Sequence, residues 1–221
     1  MLIVSQPNTP GHSPIPFTRL EAQKVKAQLS SQDIQTLPRS ELSFSTKVTL
    51  VLNDKDSTVA QVSEALERFT CVHFACHAFQ DVIDPLKSAI YLYDRPLELS
   101  AIVKKKLPYA DLAFLSACQT FTGVSDLSEE AVHLAAGMLA AGYKSVVATM
   151  WSIPDNYGPL VAETFYKSLI DNIENTQDEK LNGTSAAYAL HNTIQSLKSN
   201  SEIQKLSDPL LVWVPYIHVG I

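Results

Sequence analysis

The sequence carries no excess of positive charge. Seventeen Lys and Arg stand against 23 Asp and Glu, a formal net charge of -6, and the pI is about 5.5. That balance speaks against a nucleic-acid footprint and against attraction to an acidic membrane. Cysteine is scarce: Cys71, Cys76 and Cys118 are the only three. Two in one strand segment and a third far away are not a disulfide framework, and the set fits a reducing compartment. There is no apolar run of about 18 residues, the length a membrane-spanning helix needs. The opening MLIVSQPNTPG has no basic region and too short an apolar stretch for a secretory leader. We therefore expect a cytoplasmic protein.

Several motifs are missing as well. No Walker or GxGxxG pattern offers a phosphate or dinucleotide cradle, and GYKS lacks the necessary glycines. Ser116 does not stand in a GxSxG elbow, which disfavours a serine hydrolase. No internal repeat is visible. These absences predict no cofactor.

What remains is an ordinary globular composition, 46% hydrophobic and 18% charged over 221 residues. A chain of this length suits one α/β domain over residues 1–221. Leu2 to Val4 reads as a short strand closed by QPNTPG. Phe17 to Leu29 reads as a helix with Leu20, Val25 and Leu29 roughly on one side. Lys47 to Leu52 reads as a strand stopped by Asn53-Asp54. Ser57 or Thr58 caps a helix that runs to Arg68, with Val59, Val62, Ala65, Leu66 and Phe69 as its apolar stripe. Cys71 to Ala75 is apolar on both faces, as a central parallel strand must be.

Further on, Ala89 to Tyr93 with Pro96 to Leu99 reads as a hairpin, and Leu112 to Leu115 as a buried strand. Ser128 to Ala141 reads as a helix, N-capped by Ser128, with Glu129 and Glu130 in its first turn and Gly142 at its end. Ser145 to Met150 is a buried strand, and Asn156 to Ile170 and Ser185 to Leu197 are helices. Val212 to Val219 reads as a last strand interrupted by Pro215. The polar stretches Ser30 to Ser40 and Asn172 to Asn182 read as surface loops. Strands spaced by helices imply a mostly parallel sheet with helices on both faces.

In such sheets ligands sit beyond the C-terminal strand ends. His77 should fall just past one buried strand and Cys118 just past another. The chemistry of that pair is plain. Only a thiolate attacks a carbonyl, so a Cys nucleophile needs a base beside it. The oxyanion that forms needs donors, and the backbone N–H groups of Ala78 and Cys118 are the candidates.

VHFACHA, LAFLSACQT and EEAVHLAAGMLAAGYKSVVATMWSIPD together resemble the CHAT domain family, and the resemblance runs from MLIVSQPNTPG to WVPYIHVGI. These are caspase-like domains, related to caspases and separases and often attached to tetratricopeptide repeats. The resemblance implies a three-layer caspase-like fold and a cysteine endopeptidase acting on a protein substrate. By motif match His77 would be the general base and Cys118 the nucleophile. It also implies that Trp151, Ser152 and Asp155 help line the substrate groove. The plainer reading packs Trp151 into the core and makes Asp155 a cap of the following helix. Ala78 stands where the family usually has Gly; a left-handed backbone there would cost an alanine about 1–2 kcal/mol. No repeat array is present, so the chain is either the C-terminal domain of a longer repeat protein or a stand-alone relative. A repeat-containing region is then a candidate regulatory partner.

Other residues have plainer readings. Cys71, His73, Cys76 and His77 crowd together, but their spacing fits no usual metal pattern, and we expect no metal. His73 reads as a core histidine with a satisfied hydrogen bond, and His133 as a helix-side residue. His191 and His218 are assigned no role. Asp126, Glu129 and Glu130 could form an acidic pocket for a basic substrate side chain, or Glu129 and Glu130 could simply favour a helix N-terminus. Two rivals to the peptidase reading remain. One is a catalytically silent interaction or signalling module of the same fold. The other, ranked last, is a redox-sensing thiol protein using Cys76 and Cys118.

Overall fold

The computed structural model describes residues 1–30, 49–81, 83–119, 131–151, 153–176 and 181–221. In chain order the elements are β1 (Leu2–Ser5), α1 (Phe17–Ser30), β2 (Leu50–Asn53), α2 (Val59–Arg68), β3 (Cys71–Phe79), β4 (Ala89–Tyr91), β5 (Pro96–Glu98), α3 (Leu99–Lys104), β6 (Leu112–Gln119), α4 (Ala131–Ala141), β7 (Ser145–Thr149), α5 (Gly158–Thr176), α6 (Ala186–Lys198), α7 (Ser201–Gln204), α8 (Leu210–Trp213) and β8 (Tyr216–Gly220).

The strands form one sheet in the order β2-β1-β3-β6-β7-β8, with the β4–β5 hairpin joined to β3. From β2 through β7 the neighbours are parallel. β8 closes one edge antiparallel to β7, and β4 pairs antiparallel with the end of β3. Helices cover both faces, which is why the central strands are apolar on both sides. On one face Val62, Leu66, Ile102 and Met138 of α2, α3 and α4 pack over Val72, Phe74, Cys76 and Ala78. On the other, Val25, Phe165, Leu169 and Leu190 of α1, α5 and α6 pack over Cys71, Leu112, Phe114 and Val147.

Local chemistry accounts for several boundaries. Thr58 is the N-cap of α2 and its hydroxyl accepts from the Gln61 N–H. Gly142, at φ +119, turns the chain out of α4, and a Cβ there would stand 2.5 Å from the Leu107 carbonyl oxygen.

The structure departs from the sequence reading in four places. β3 runs to Phe79 and β6 to Gln119, so His77 and Cys118 lie inside their strands and not beyond them. The strands extend each other by pairing as far as Ala78 with Gln119, and β4 takes the flank of β3 that β1 leaves free after Ser5. In α1 the inward positions are Thr18, Glu21, Ala22, Val25 and Leu29, while Leu20 is exposed. Asn172 belongs to α5, which continues to Thr176. The last segment is a helical turn, α8, followed by β8, with Pro215 between them. Residues 31–48 and 120–130 lie outside the described residues, and with them most of the Ser30–Ser40 segment and the proposed Ser128 cap. Among the described residues no helix is long and apolar enough to cross a membrane.

Phe114 lies at the centre of the α1/α5/α6 face, fully buried and in contact with the rings of His73, Phe165, Tyr166 and Tyr216. Phe114→Ala should cost about 3–5 kcal/mol, read as a lower urea midpoint at unchanged slope. A cost too small to move the midpoint would contradict this packing.

Candidate active site

β3 and β6 are the two central parallel strands, and their register makes His77 and Cys118 Cα partners. Adjacent strands lie about 4.8 Å apart, and register partners share a face of the pleat. Positions 77 and 118 therefore stand side by side near the C-terminal edge of the sheet. For Cys118 this backbone position is what the structure describes. Ala78 pairs with Gln119 on one side and Ile90 on the other. Its backbone is extended; the described non-glycine residues with positive φ are Asp54 and Lys106. The alanine at this position therefore pays no left-handed penalty.

The chain leaving β1 shapes what surrounds His77. β1 ends beside Ala75, and the Gln6 N–H continues its ladder to the Ala75 carbonyl. The next ten residues contain four prolines. Thr9-Pro10-Gly11-His12 forms a tight turn in which the His12 N–H donates to the Thr9 carbonyl at 3.1 Å. Pro10 and Gly11, at φ +81, are the residues a type II turn prefers at those places. The turn brings the next two residues onto His77. The Ser13 carbonyl accepts from His77 Nε2 at 2.8 Å. The His12 ring stacks on the His77 ring, centroids 5.2 Å apart at 30°.

A carbonyl oxygen only accepts, so Nε2 carries the proton. In neutral His77, Nδ1 is then the bare nitrogen. It is buried and has no hydrogen-bond partner among the described residues. A buried, unprotonated and unpartnered imidazole nitrogen is a base held ready for a proton.

Behind His77, on the same face of β3, lies a second polar cluster. His73 Nε2 is 3.0 Å from Glu21 Oε1, and His73 Nδ1 is 3.3 Å from the Tyr166 hydroxyl. All three side chains are buried. Burial pushes the Tyr166 phenol well above its ordinary value, so it keeps its proton. The carboxylate accepts from Nε2. Gly158, the first residue of α5, gives the other carboxylate oxygen its room: a Cβ there would stand 2.6 Å from Glu21 Oε2. Glu21 thus rests at the N-terminus of α5, where the helix dipole favours negative charge. The cluster ties α1, β3 and α5 together, and His73 is the satisfied core histidine expected of it.

Asp155 does not cap the following helix. Its Oδ2 accepts from the Phe17 N–H at 3.0 Å and so caps α1, far away in sequence. Burial raises its pKa, and the negative charge of Glu21 adds to that; the Phe17 hydrogen bond and His77 act the other way. Trp151 is half-buried, and Ser152 lies outside the described residues. So do Asp126, Glu129 and Glu130.

The remaining predicted groups disperse. Cys71 and His73 face the α1/α5/α6 side, whereas Cys76 packs in the core of the opposite side. No group of three or more metal-ligating side chains forms among the described residues. The Cys71 thiol donates to the Leu181 carbonyl, and burial raises its pKa to about 11. Cys76 and position 118 belong to opposite faces, which does not suit a Cys76–Cys118 redox pair. His133 is a helix-side residue of α4. His218 Nε2 lies 2.6 Å from the Ser145 hydroxyl at the β8 edge.

Sequence reasoning missed three contributors: His12, Ser13 and Glu21. The loop after β1 carried the signal for the first two, since loops at the C-terminal ends of adjacent parallel strands converge. Nothing local marks Glu21 as a buried residue.

Comparison with known proteins supplies context. The family model described as the CHAT domain matches residues 1–221. A search of curated proteins gives no match. Among solved structures the chain is similar to the Arg-specific cysteine proteinase gingipain R, with a TM-score of 0.54 and 10% identity. The match covers 99% of this chain and 45% of that one, so the chain spans less than half the length of that proteinase. At that identity the likeness concerns the fold, a caspase-like α/β sheet with helices on both faces.

Two outcomes follow. Glu21→Ala strands a buried His73 nitrogen and should cost about 1–3 kcal/mol by denaturant titration. Combined with His73→Ala, the loss should fall short of the sum; full additivity would deny the pairing. A thiol that titrates near 9 when unfolded and about 11 when folded stabilises fully below pH 9 and loses that contribution as pH rises through 11. Cys71→Ala should flatten the alkaline decline in stability, measured as melting temperature against pH.

Proposed function

This chain belongs to the CHAT domain family, and from that premise we propose that it is a cysteine endopeptidase in which Cys118 attacks a peptide carbonyl and His77 moves the proton. The observation that carries this reading is the register of β3 and β6, which pairs His77 with Cys118 at the strand ends. The held tautomer of His77 supports it further, because it leaves Nδ1 as the base.

In the proposed reaction His77 Nδ1 takes the thiol proton, and the thiolate sulfur bonds to the carbonyl carbon. Backbone N–H groups at Ala78 and Cys118 stabilise the oxyanion. Collapse breaks the C–N bond, and the imidazolium returns the proton to the leaving amine. Water, deprotonated by the same nitrogen, then hydrolyses the thioester and regenerates the thiol. The Ser13 carbonyl opposite Nε2 holds the ring and stabilises the imidazolium as it forms. Every proton in this cycle is carried by groups of the chain or by water. The half-buried Trp151, with Ser152 and Asp155, is proposed to flank the substrate, which is itself a protein. A repeat-containing region or partner is the proposed regulator.

The test is thiol reactivity against pH. Cys118 should be alkylated well below the free-thiol pKa of about 8.5, and His77→Ala should abolish this. Cys118→Ala should leave the fold intact and remove cleavage of a true substrate. A thiol indifferent to His77 would assign the chain to the alternative, a catalytically silent interaction or signalling module.

A further inference from the structure

The His77 ring is gripped at two points by adjacent residues of one turn. Ser13 holds its edge through Nε2, and His12 covers its face. His12 also meets the ring of Tyr91 of β4, centroids 4.2 Å apart and tilted at 51°. Tyr91 is fixed in the β4–β5 hairpin, where it pairs with Pro96. Tyr91, His12 and His77 therefore form a chain of ring contacts, one tilted and one stacked, that links the hairpin to the proposed base.

An imidazole is free to rotate about its Cβ–Cγ bond, and half a turn would put Cε1 in the place of Nε2 and Cδ2 in the place of Nδ1, breaking the bond to Ser13 that fixes the tautomer. One hydrogen bond at one edge restrains that rotation weakly. A second aromatic ring against the face restrains the plane itself, and stacked or tilted ring pairs at such separations are attractive beyond the area they bury. The geometry points to His12 as a positioning residue for His77, holding the imidazole plane so that Nε2 meets Ser13 and Nδ1 stays free to serve as base. This rests on the peptidase reading for its consequence in catalysis, though not for the effect on the ring.

Other features agree with the assignment. The turn that delivers His12 is built for it: Pro10 presets one central residue, and Gly11 takes the positive φ of the other with nothing within 4 Å of where a side chain would begin. Burial and the neighbouring His77 hold the His12 pKa below its ordinary value. A neutral His12 lets His77 become an imidazolium during the reaction, and a π-face over that cation is favourable. The ring, rather than its charge, does the positioning, so another aromatic residue should serve.

The experiment compares the parent with His12→Ala, His12→Phe and Gly11→Val. The first readout is the nitrogen NMR spectrum of the His77 ring, which reports its tautomer. The second is the rate of Cys118 alkylation by iodoacetamide. The parent should show the Nε2–H form alone. His12→Ala and Gly11→Val should mix the two tautomers and slow alkylation by about three- to tenfold, the range a stacked aromatic pair supplies. His12→Phe should recover most of the rate and the single tautomer, which loss of loop structure in general would not explain. An unchanged tautomer and rate in His12→Ala, while His77→Ala still abolishes alkylation, overturns the role of His12 and leaves the dyad standing. If His77→Ala has no effect on alkylation, the peptidase reading falls, and the tautomer readout still decides whether His12 orients the ring.

Discussion

The pairing of β3 with β6 is the constraint on which the rest of the molecule depends. Eight register partners, from Cys71 with Leu112 to Ala78 with Gln119, bind these two strands along their shared length. Parallel strands cannot be joined by a tight turn. The chain between them makes the β4–β5 hairpin and α3 before it returns. Because both strands are covered on both faces, their residues are mostly apolar, and a buried polar group among them needs a partner supplied from a helix or loop. The same register that builds the core sets position 77 beside position 118 near the C-terminal ends of the two strands.

Polar groups buried under that edge are matched to specific partners. Glu21 reaches into the sheet from α1 and meets His73 and the start of α5. Asp155 closes the N-terminus of the same helix through Phe17. Each hydrogen bond contributes on the order of 1 kcal/mol net, modest beside the aromatic packing around Phe114. Their effect is directional: they fix where α1 begins, and so where the loop that precedes it must pass. That loop carries His12 and Ser13 to His77. The placement of the proposed base thus depends on a carboxylate that precedes α5 and caps α1, and on a turn built from Pro10 and Gly11.

Much of this was legible where the determining physics is local. Ser57 or Thr58 announced the start of α2, because a hydroxyl three residues before a free N–H is a short-range event, and the structure chooses Thr58. CVHFA and LAFL announced central strands because burial on both faces leaves no polar alternation. Leu20 misled, since periodicity alone cannot tell that the inward place beside it belongs to a charged Glu21 whose partner lies on another strand. Asp155 misled for the same reason: its position suggested a cap for the next helix, and the N–H it reached was that of Phe17. The ends of β3 and β6 were set short because a strand is extended by what pairs with it, and β4 cannot be read from the composition of β3.

By itself the sequence indicated the class of fold, the central strands and the helices that cover them, and it brought forward His77 and Cys118 as candidates for cysteine chemistry. These follow from periodicity, capping and residue chemistry, all encoded over a few neighbouring positions. Only the tertiary structure decided the register that makes those two residues partners, the tautomer that leaves Nδ1 bare, and the meetings of His12 and Ser13 with His77, of Glu21 with His73 and of Asp155 with Phe17. Those depend on groups distant in the chain meeting at one end of a sheet. Such meetings are set by packing and by the partners that buried polar atoms require, which no window along the sequence contains.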